Sequence, residues 1–426
     1  MKVKLLILTI FAAIWAIPSS SQHTLDYFVA QAMKNSPLIV SNRNQKMIDA
    51  EEMQRLKSVY IHSHLELTGD LLFVPIISTD DGKTSFKIDA QNASKFYGYD
   101  LGQSSSHINV GLNWTKPLTG GKGLKEEQEL LRINQSISEN NINLTEHDLS
   151  RQITEQYLLC QLDIENEHSF LTIDSLLIKQ IDIVSKLSNN GLTSPTDVQL
   201  LKIERQTNEN LRQAAMQSYI THRAELNTIC GINDSSILVQ VNINEQLPDY
   251  THSKFFEQYK LDSLQAQSTY KTYLNQYRPQ LFLYANGGTQ TGTYVDLYKR
   301  WGMSAGLHFS LTLYDGKQLK NRRRQMKIQQ NTIQNEQQYA ETVRRTRISE
   351  LLQLIRSQDL QISNGSKQLD DYRKLLSDYQ KEIMAGRRSI VDYVNVFSNY
   401  RRQISSLNEL KINKNILMNT YNYWNW

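Results

Sequence analysis

Trp301-Gly302-Met303-Ser304-Ala305-Gly306-Leu307-His308-Phe309-Ser310-Leu311-Thr312-Leu313, followed by Tyr314-Asp315-Gly316-Lys317, decides the reading of this chain. Every odd position from Trp301 to Leu313 is apolar, and every even position is glycine, serine, histidine or threonine. That period of two predicts a strand with one apolar face and one small or polar face. Beyond Asp315-Gly316 the pattern changes. The next 70 positions, as far as Gly386, hold no proline and only one interior glycine, Gly365. Within them Leu369, Tyr372, Leu376, Tyr379 and Ile383 are spaced three, four, three, four, the seam of a coiled coil. At about 1.5 Å per residue such a helix approaches 100 Å.

The same text is written earlier in the chain. Val110-Gly111-Leu112-Asn113-Trp114 through Gly120-Gly121-Lys122 aligns with Ala305-Gly306-Leu307-His308-Phe309 through Asp315-Gly316-Lys317, an offset of 195 residues. Gly191-Leu192-Thr193-Ser194-Pro195-Thr196-Asp197 aligns with Gly386-Arg387-Arg388-Ser389-Ile390-Val391-Asp392 at the same offset of 195. Gly191 and Gly386 therefore mark the turns of two equivalent helical hairpins, with Ser194 placed as an N-cap before a first-turn proline. Upstream, a helical stretch ending at Tyr60 or Tyr277 gives way to an extended run, residues 65–73 or 281–286. The expected organisation is a signal segment over 1–21, a first repeat over 22–230, an equatorial linker over 231–250 and a second repeat over 251–426. The expected strands are about 64–74, 107–118, 280–287 and 301–313.

Strands of about ten residues with one apolar and one polar face suit a transmembrane barrel, apolar side to lipid and polar side to lumen. Trp114 and Trp301, flanked by Tyr97, Tyr99, Tyr294 and Tyr298, fit interfacial girdles. Four strands cannot close a barrel, and open edges are not tolerated in hydrocarbon, so several copies must share one wall.

Composition agrees. With 39% hydrophobic and 21% charged residues in 426, and a mean hydropathy of −0.51, the apolar residues form narrow stripes. Lys2 and Lys4 precede an apolar run over 5–17 and then Pro18 and serines, which reads as a secretory signal. No cysteine stands directly after that run, so an amino-terminal lipid is not expected. The net charge of +4 offers no general field for nucleic acid. Cys160 and Cys230 are the only cysteines, too few for a disulfide framework. They fall at similar heights on antiparallel helices.

Two halves of this design resemble the TolC-like outer-membrane efflux proteins over essentially the whole mature chain. The residues carrying the resemblance are Leu313-Tyr314-Asp315-Gly316 at the strand-to-helix junction and the Gly386 to Asp392 turn, each repeated at one offset. The resemblance implies an α+β membrane protein: a four-strand contribution to a trimeric, twelve-stranded β-barrel, continued by a long periplasmic coiled-coil tunnel. It implies a passive exit duct of a tripartite efflux or type I secretion system, in the outer membrane and extending into the periplasm. Its partners would be a periplasmic adaptor, an inner-membrane transporter and outer-membrane lipid. The gate it implies lies just past the second turn. Asp392 matches the family's first aspartate ring, Arg388 the arginine of its polar network, and Asn395 stands where the family has a second aspartate. Asp197 is the corresponding residue of the first turn. The alternative reading is a periplasmic adaptor, which needs one hairpin where this chain has two.

Other features have plainer readings. His62 and His64 could begin a metal site, but no third ligand lies at a suitable spacing, so no metal and no cofactor are expected. Lys317, Lys320, Arg322, Arg323, Arg324 and Lys327 form a basic helix root, read as a solvated face meeting phospholipid head groups. No phosphate loop or nucleophile, base and acid arrangement appears, and an enzyme is not expected.

Overall fold

The computed structural model of the chain describes residues 22–71, 76–87, 108–244, 253–291, 298–299 and 301–426. The signal segment and Phe73, Tyr97, Tyr99 and Tyr294 lie outside the described residues. In chain order the elements are β1 (Gln22–His23), α1 (Leu25–Asn35), α2 (Pro37–Ile61), β2 (His64–Leu71), β3 (Ile76–Asp80), β4 (Lys83–Lys87), β5 (Ile108–Pro117), α3 (Gly121–Asn189), α4 (Pro195–Cys230), β6 (Ile237–Leu238), α5 (Glu257–Tyr273), β7 (Gln280–Thr291), β8 (Trp301–Ser310), α6 (Gln318–Met384) and α7 (Ile390–Trp424). Contacts divide the chain into two compact units, each drawing segments from both the first and the second half of the chain. One unit holds Met1–Arg43, Asn140–Glu257 and Glu336–Trp426; the other holds Asn44–Glu139 and Gln258–Asn335.

The second unit is a wall. Its antiparallel sheet has the order β2-β5-β7-β8, with β5 paired to β7. Registered neighbours share a face. Leu65 lies across from Trp114, which lies across from Ala285 and then Ala305; Leu67 aligns with Leu112, Gly287 and Met303. This face is apolar and open, with Leu67 71% and Met303 92% exposed. The other face carries His64, Glu66, Thr68, Asn113, Tyr284, Asn286, Ser304 and His308. The helices follow the order of the strands they adjoin. Lys46 of α2 pairs with Glu139 of α3, Gln265 of α5 donates to Asn134 of α3, and Arg322 of α6 lies over the Tyr273 ring of α5. β2 and β8 are the sheet's outer strands, each paired on one side among the described residues.

Strand limits differ from expectation in the second repeat. β7 runs to Thr291, beyond the expected end at 287, and β8 stops at Ser310 instead of 313. The extra β7 residues are Gly288-Thr289-Gln290-Thr291, whose pairing with β5 is made by backbone and leaves no alternation to read.

Both strand-to-helix junctions are locked by a tyrosine. Tyr277 donates its hydroxyl to Asp315 at 2.7 Å, while the same carboxylate accepts the N–H groups of Lys317 at 2.9 Å and Leu319 at 2.7 Å. This caps α6. In the first repeat Gly120 replaces the aspartate, and the Tyr60 ring lies against Gly120 and Gly123, where an added Cβ would come within 3.1 and 3.0 Å of it.

The first unit is helical. Phe170, Ile173 and Leu177 of α3, Leu201 of α4, Leu369, Leu376 and Ile383 of α6, and Phe397 of α7 form one core that joins both hairpins. The expected seam is there: Leu369, Leu376 and Ile383 are buried, with Tyr372 and Tyr379 packed at its margin. A second core gathers Phe28, Tyr157, Leu226, Cys160 and Cys230. Both thiols are buried and free, and burial pushes Cys160 up to about 12 and Cys230 to about 11. A two-residue parallel pairing of β1 with β6 closes this region. It is too short to leave a sequence pattern.

Candidate functional site

The two hairpin turns share one backbone design. After α3, Gly191 takes φ 71°, its N–H bonds Ser188 O and the Leu192 N–H bonds Leu187 O. After α6, Gly386 takes φ 70°, its N–H bonds Ile383 O and the Arg387 N–H bonds Glu382 O. Both are Schellman endings, which require a left-handed residue and so favour glycine. Each return helix then opens on a serine cap, Ser194 receiving the Thr196 N–H and Ser389 the Val391 N–H.

Side chains break the symmetry. Asp197 accepts the Ser194 N–H at 3.1 Å and completes a capping box. Its carboxylate is thereby committed to the turn. Asp392 makes no such bond. Its side chain is 49% exposed and lies 4.0 Å from Arg388 Nη1. Arg388 is fixed on its other sides by a 2.9 Å bond from Nε to Glu382 Oε2 and by the Tyr379 ring, 4.7 Å from the guanidinium carbon. Asn395, one turn beyond Asp392, is exposed. Arg388 and Asp392 are thus brought together, Asn395 stands beside them along α7, and Asp197 serves its own helix end.

Sequence reasoning read Tyr379 as a seam residue and passed over Glu382. The signal available was helical spacing, since Tyr379, Glu382 and the turn at Gly386 lie on successive turns of one helix end. Chemically the cluster is a cation held by an acid and a ring, leaving one carboxylate in water. It can present charge to a passing ion.

The wall places the tryptophans on its apolar face. Trp114 shares a rung with Ala305, and Trp301 shares one with Val110 through Thr289. The rungs are four residues apart, about 13 Å along the strand. Trp301 is 74% exposed. His62 and His64 are exposed, and no group of three or more possible metal ligands occurs among the described residues. No helix among them is long and apolar enough to cross a membrane.

No protein-family model matches the sequence, and no curated protein matches it. Solved structures do. The CmeC outer membrane channel of Campylobacter jejuni is similar at 14% identity and a TM-score of 0.65, with 94% of this chain and 85% of that one covered. CusC, described in connection with transmembrane channel formation, is similar at 13% identity and a TM-score of 0.68, with 94% and 91% covered. The MtrE outer membrane channel of Neisseria gonorrhoeae, in its open state, gives 13% identity and 0.64, with 94% and 88% covered. The chain has the fold of these outer-membrane channels across nearly its whole length.

Proposed function

We propose that the chain is a passive outer-membrane exit duct, the channel of a tripartite efflux or type I secretion system. The observation that carries the reading is the open wall: a four-stranded sheet with one exposed apolar face, one polar face, and outer strands β2 and β8 paired on one side among the described residues. Such a sheet is stable in lipid only when copies of the chain continue it into a closed barrel. Three copies give twelve strands, with Trp114 and Trp301 toward the interfaces and the polar face, from Glu66 to His308, lining the lumen.

The hairpins would continue the duct toward the periplasm, where an adaptor and an inner-membrane transporter engage the turns at Gly191 and Gly386. Asp392, repeated by the three-fold axis, sets a ring of carboxylates that favours cations at short range. Arg388 orients it, Asn395 supplies a neutral second ring, and Asp197 stays with its cap. The solved structures of this fold favour a channel over an adaptor, and two equivalent hairpins agree with that preference.

The test is conductance. The purified chain inserted into planar bilayers should give discrete, cation-preferring openings without nucleotide or a gradient of any other solute. Bilayers that remain at baseline conductance with demonstrably inserted protein would overturn the reading.

A further inference from the structure

The root of α6 carries charge that the fold does not need. From Gly316 to Asn335 there is no aspartate or glutamate, while Lys317, Lys320, Arg322, Arg323, Arg324 and Lys327 all lie within that span. At the equivalent positions of α3 the residues are Lys122, Lys125, Glu127, Gln128, Glu129 and Arg132, a mixed set in which Arg132 pairs with Glu129 at 3.4 Å. The two helix roots thus carry two different charge patterns, and the basic one calls for a cause of its own.

The cations are also sorted around the helix. Leu319, Arg322, Met326 and Ile333 form the inner side, where Arg322 lies over Tyr273 and, with Gln325 and Met326, lines a cavity against Gln265, Thr269 and Tyr270 of α5. At about 100° per residue, Arg323, Lys327, Lys320 and Arg324 fall along one flank, from Arg323 beside the inner side round to Arg324 nearly opposite it, and Lys317, at φ 70°, stands just before the helix. All five are exposed, and none of their side-chain cations pairs with a carboxylate among the described residues. The helix at the other margin of the wall does not supply the missing charge. In its part of that unit α2 has Lys46, Arg55 and Lys57 against Asp49, Glu51 and Glu52, and Asp49 is buried.

Position points to the partner. The apolar face of β8 continues past the strand through Leu311 and Leu313, the latter 89% exposed, to Tyr314 at 82%. β8, from Trp301 to Ser310, spans about 30 Å, and at a tilt near 45° it covers about 21 Å of depth, most of a barrel's apolar band of about 25 Å. The cations begin four residues after Leu313.

We propose that Lys317, Lys320, Arg323, Arg324 and Lys327 hold the phosphate groups of anionic phospholipids in the leaflet bordering this end of the barrel. The inference rests on the membrane reading of β8. Basic groups beside an apolar surface gain attraction to anionic lipid without leaving water, because their stems lie on the apolar boundary.

The full chain is purified in a neutral detergent, phosphatidylglycerol or phosphatidylcholine is added, and retained lipid is counted by native mass spectrometry. The wild type should retain phosphatidylglycerol at least tenfold better. Replacing the five cations with Gln should abolish that preference, whereas Lys122→Gln with Lys125→Gln and Arg132→Gln should keep it. An unchanged preference in the five-site variant overturns the proposal. So does competition by millimolar inorganic phosphate, which would mark a site for free anions. A five-site variant whose oligomer dissociates while its lipid preference persists assigns the cations to contacts between copies and equally overturns it. Failure of the membrane reading gives a different result, a chain that retains neither lipid.

Discussion

Arg401 Nη1 of α7 stands 2.6 Å from Glu204 Oε1 of α4, with the side chains only 7% and 12% exposed. The contact joins the two hairpins inside one unit. It is close in distance but poorly aligned: neither atom, nor Arg401 Nε, makes a hydrogen bond. A buried pair of this kind is held mainly by the cost of leaving either charge alone.

Removing one partner should therefore do more harm than removing both. Glu204→Leu is expected to cost about 3 to 5 kcal/mol, and the double variant Glu204→Leu with Arg401→Met to recover most of that loss. Urea midpoints followed by circular dichroism measure both. Equal loss in the single and double variants would show that the charges stabilise the hairpins outright.

The two turn aspartates give a second contrast. Asp197→Ala removes a capping-box acceptor and should cost about 1 kcal/mol with no change in ion preference. Asp392→Ala should leave the unfolding midpoint nearly unchanged and reduce cation preference in single-channel recordings. An undiminished preference would remove Asp392 from the filter.

Close backbone approach between β5 and β7 predicts a sharp difference between two glycines of the polar face. A Cβ on Gly288 would meet Val110 O at 2.4 Å and Gly111 Cα at 2.5 Å, both backbone atoms, whereas nothing lies within 4 Å of one on Gly302. Gly288→Ala should reduce the yield of assembled protein severalfold, and Gly302→Ala should not. Comparable yields from the two would contradict the register of β5 against β7.

Acid should weaken the first unit through His147. The imidazole is stacked between Tyr423 and Trp426, with ring centroids 4.7 and 4.0 Å away, and its Nε2 lies 2.9 Å from Tyr423 O. Burial, the largest influence, holds its pKa below the ordinary 6.5. The unfolded chain then binds the proton more readily, so stability present above about pH 6.5 is lost as pH falls toward the folded value. His147→Phe should flatten that limb of the stability profile below about pH 6.5. An unchanged slope would assign the acid sensitivity to other groups.

Much of this architecture is legible in the sequence because its periods are long and uninterrupted. The alternation from Trp301 to Ser310 and the seam from Leu369 to Ile383 each specify one face, and the structure puts those faces where the periods require. Repetition at a single offset makes the turns at Gly191 and Gly386 readable together. The β3–β4 hairpin escapes a reading based on long periods, although Asp81-Gly82, with φ of 50° and 77°, is a two-residue turn signal of the ordinary kind. Arg401 and Glu204 leave no signal. They are brought together only when two separate hairpins pack, and no spacing along the chain encodes that. At the tip, it is the family resemblance that points to Arg388 and Asp392, and it does not show that the matching Asp197 is taken up by its cap.

The most direct measurement is the location and detergent-corrected mass of the mature chain extracted from cells. The account predicts an outer-membrane species of three chains that stays assembled in detergent, its apolar sheet face covered. A soluble monomer, or a chain held at the inner membrane, would contradict it.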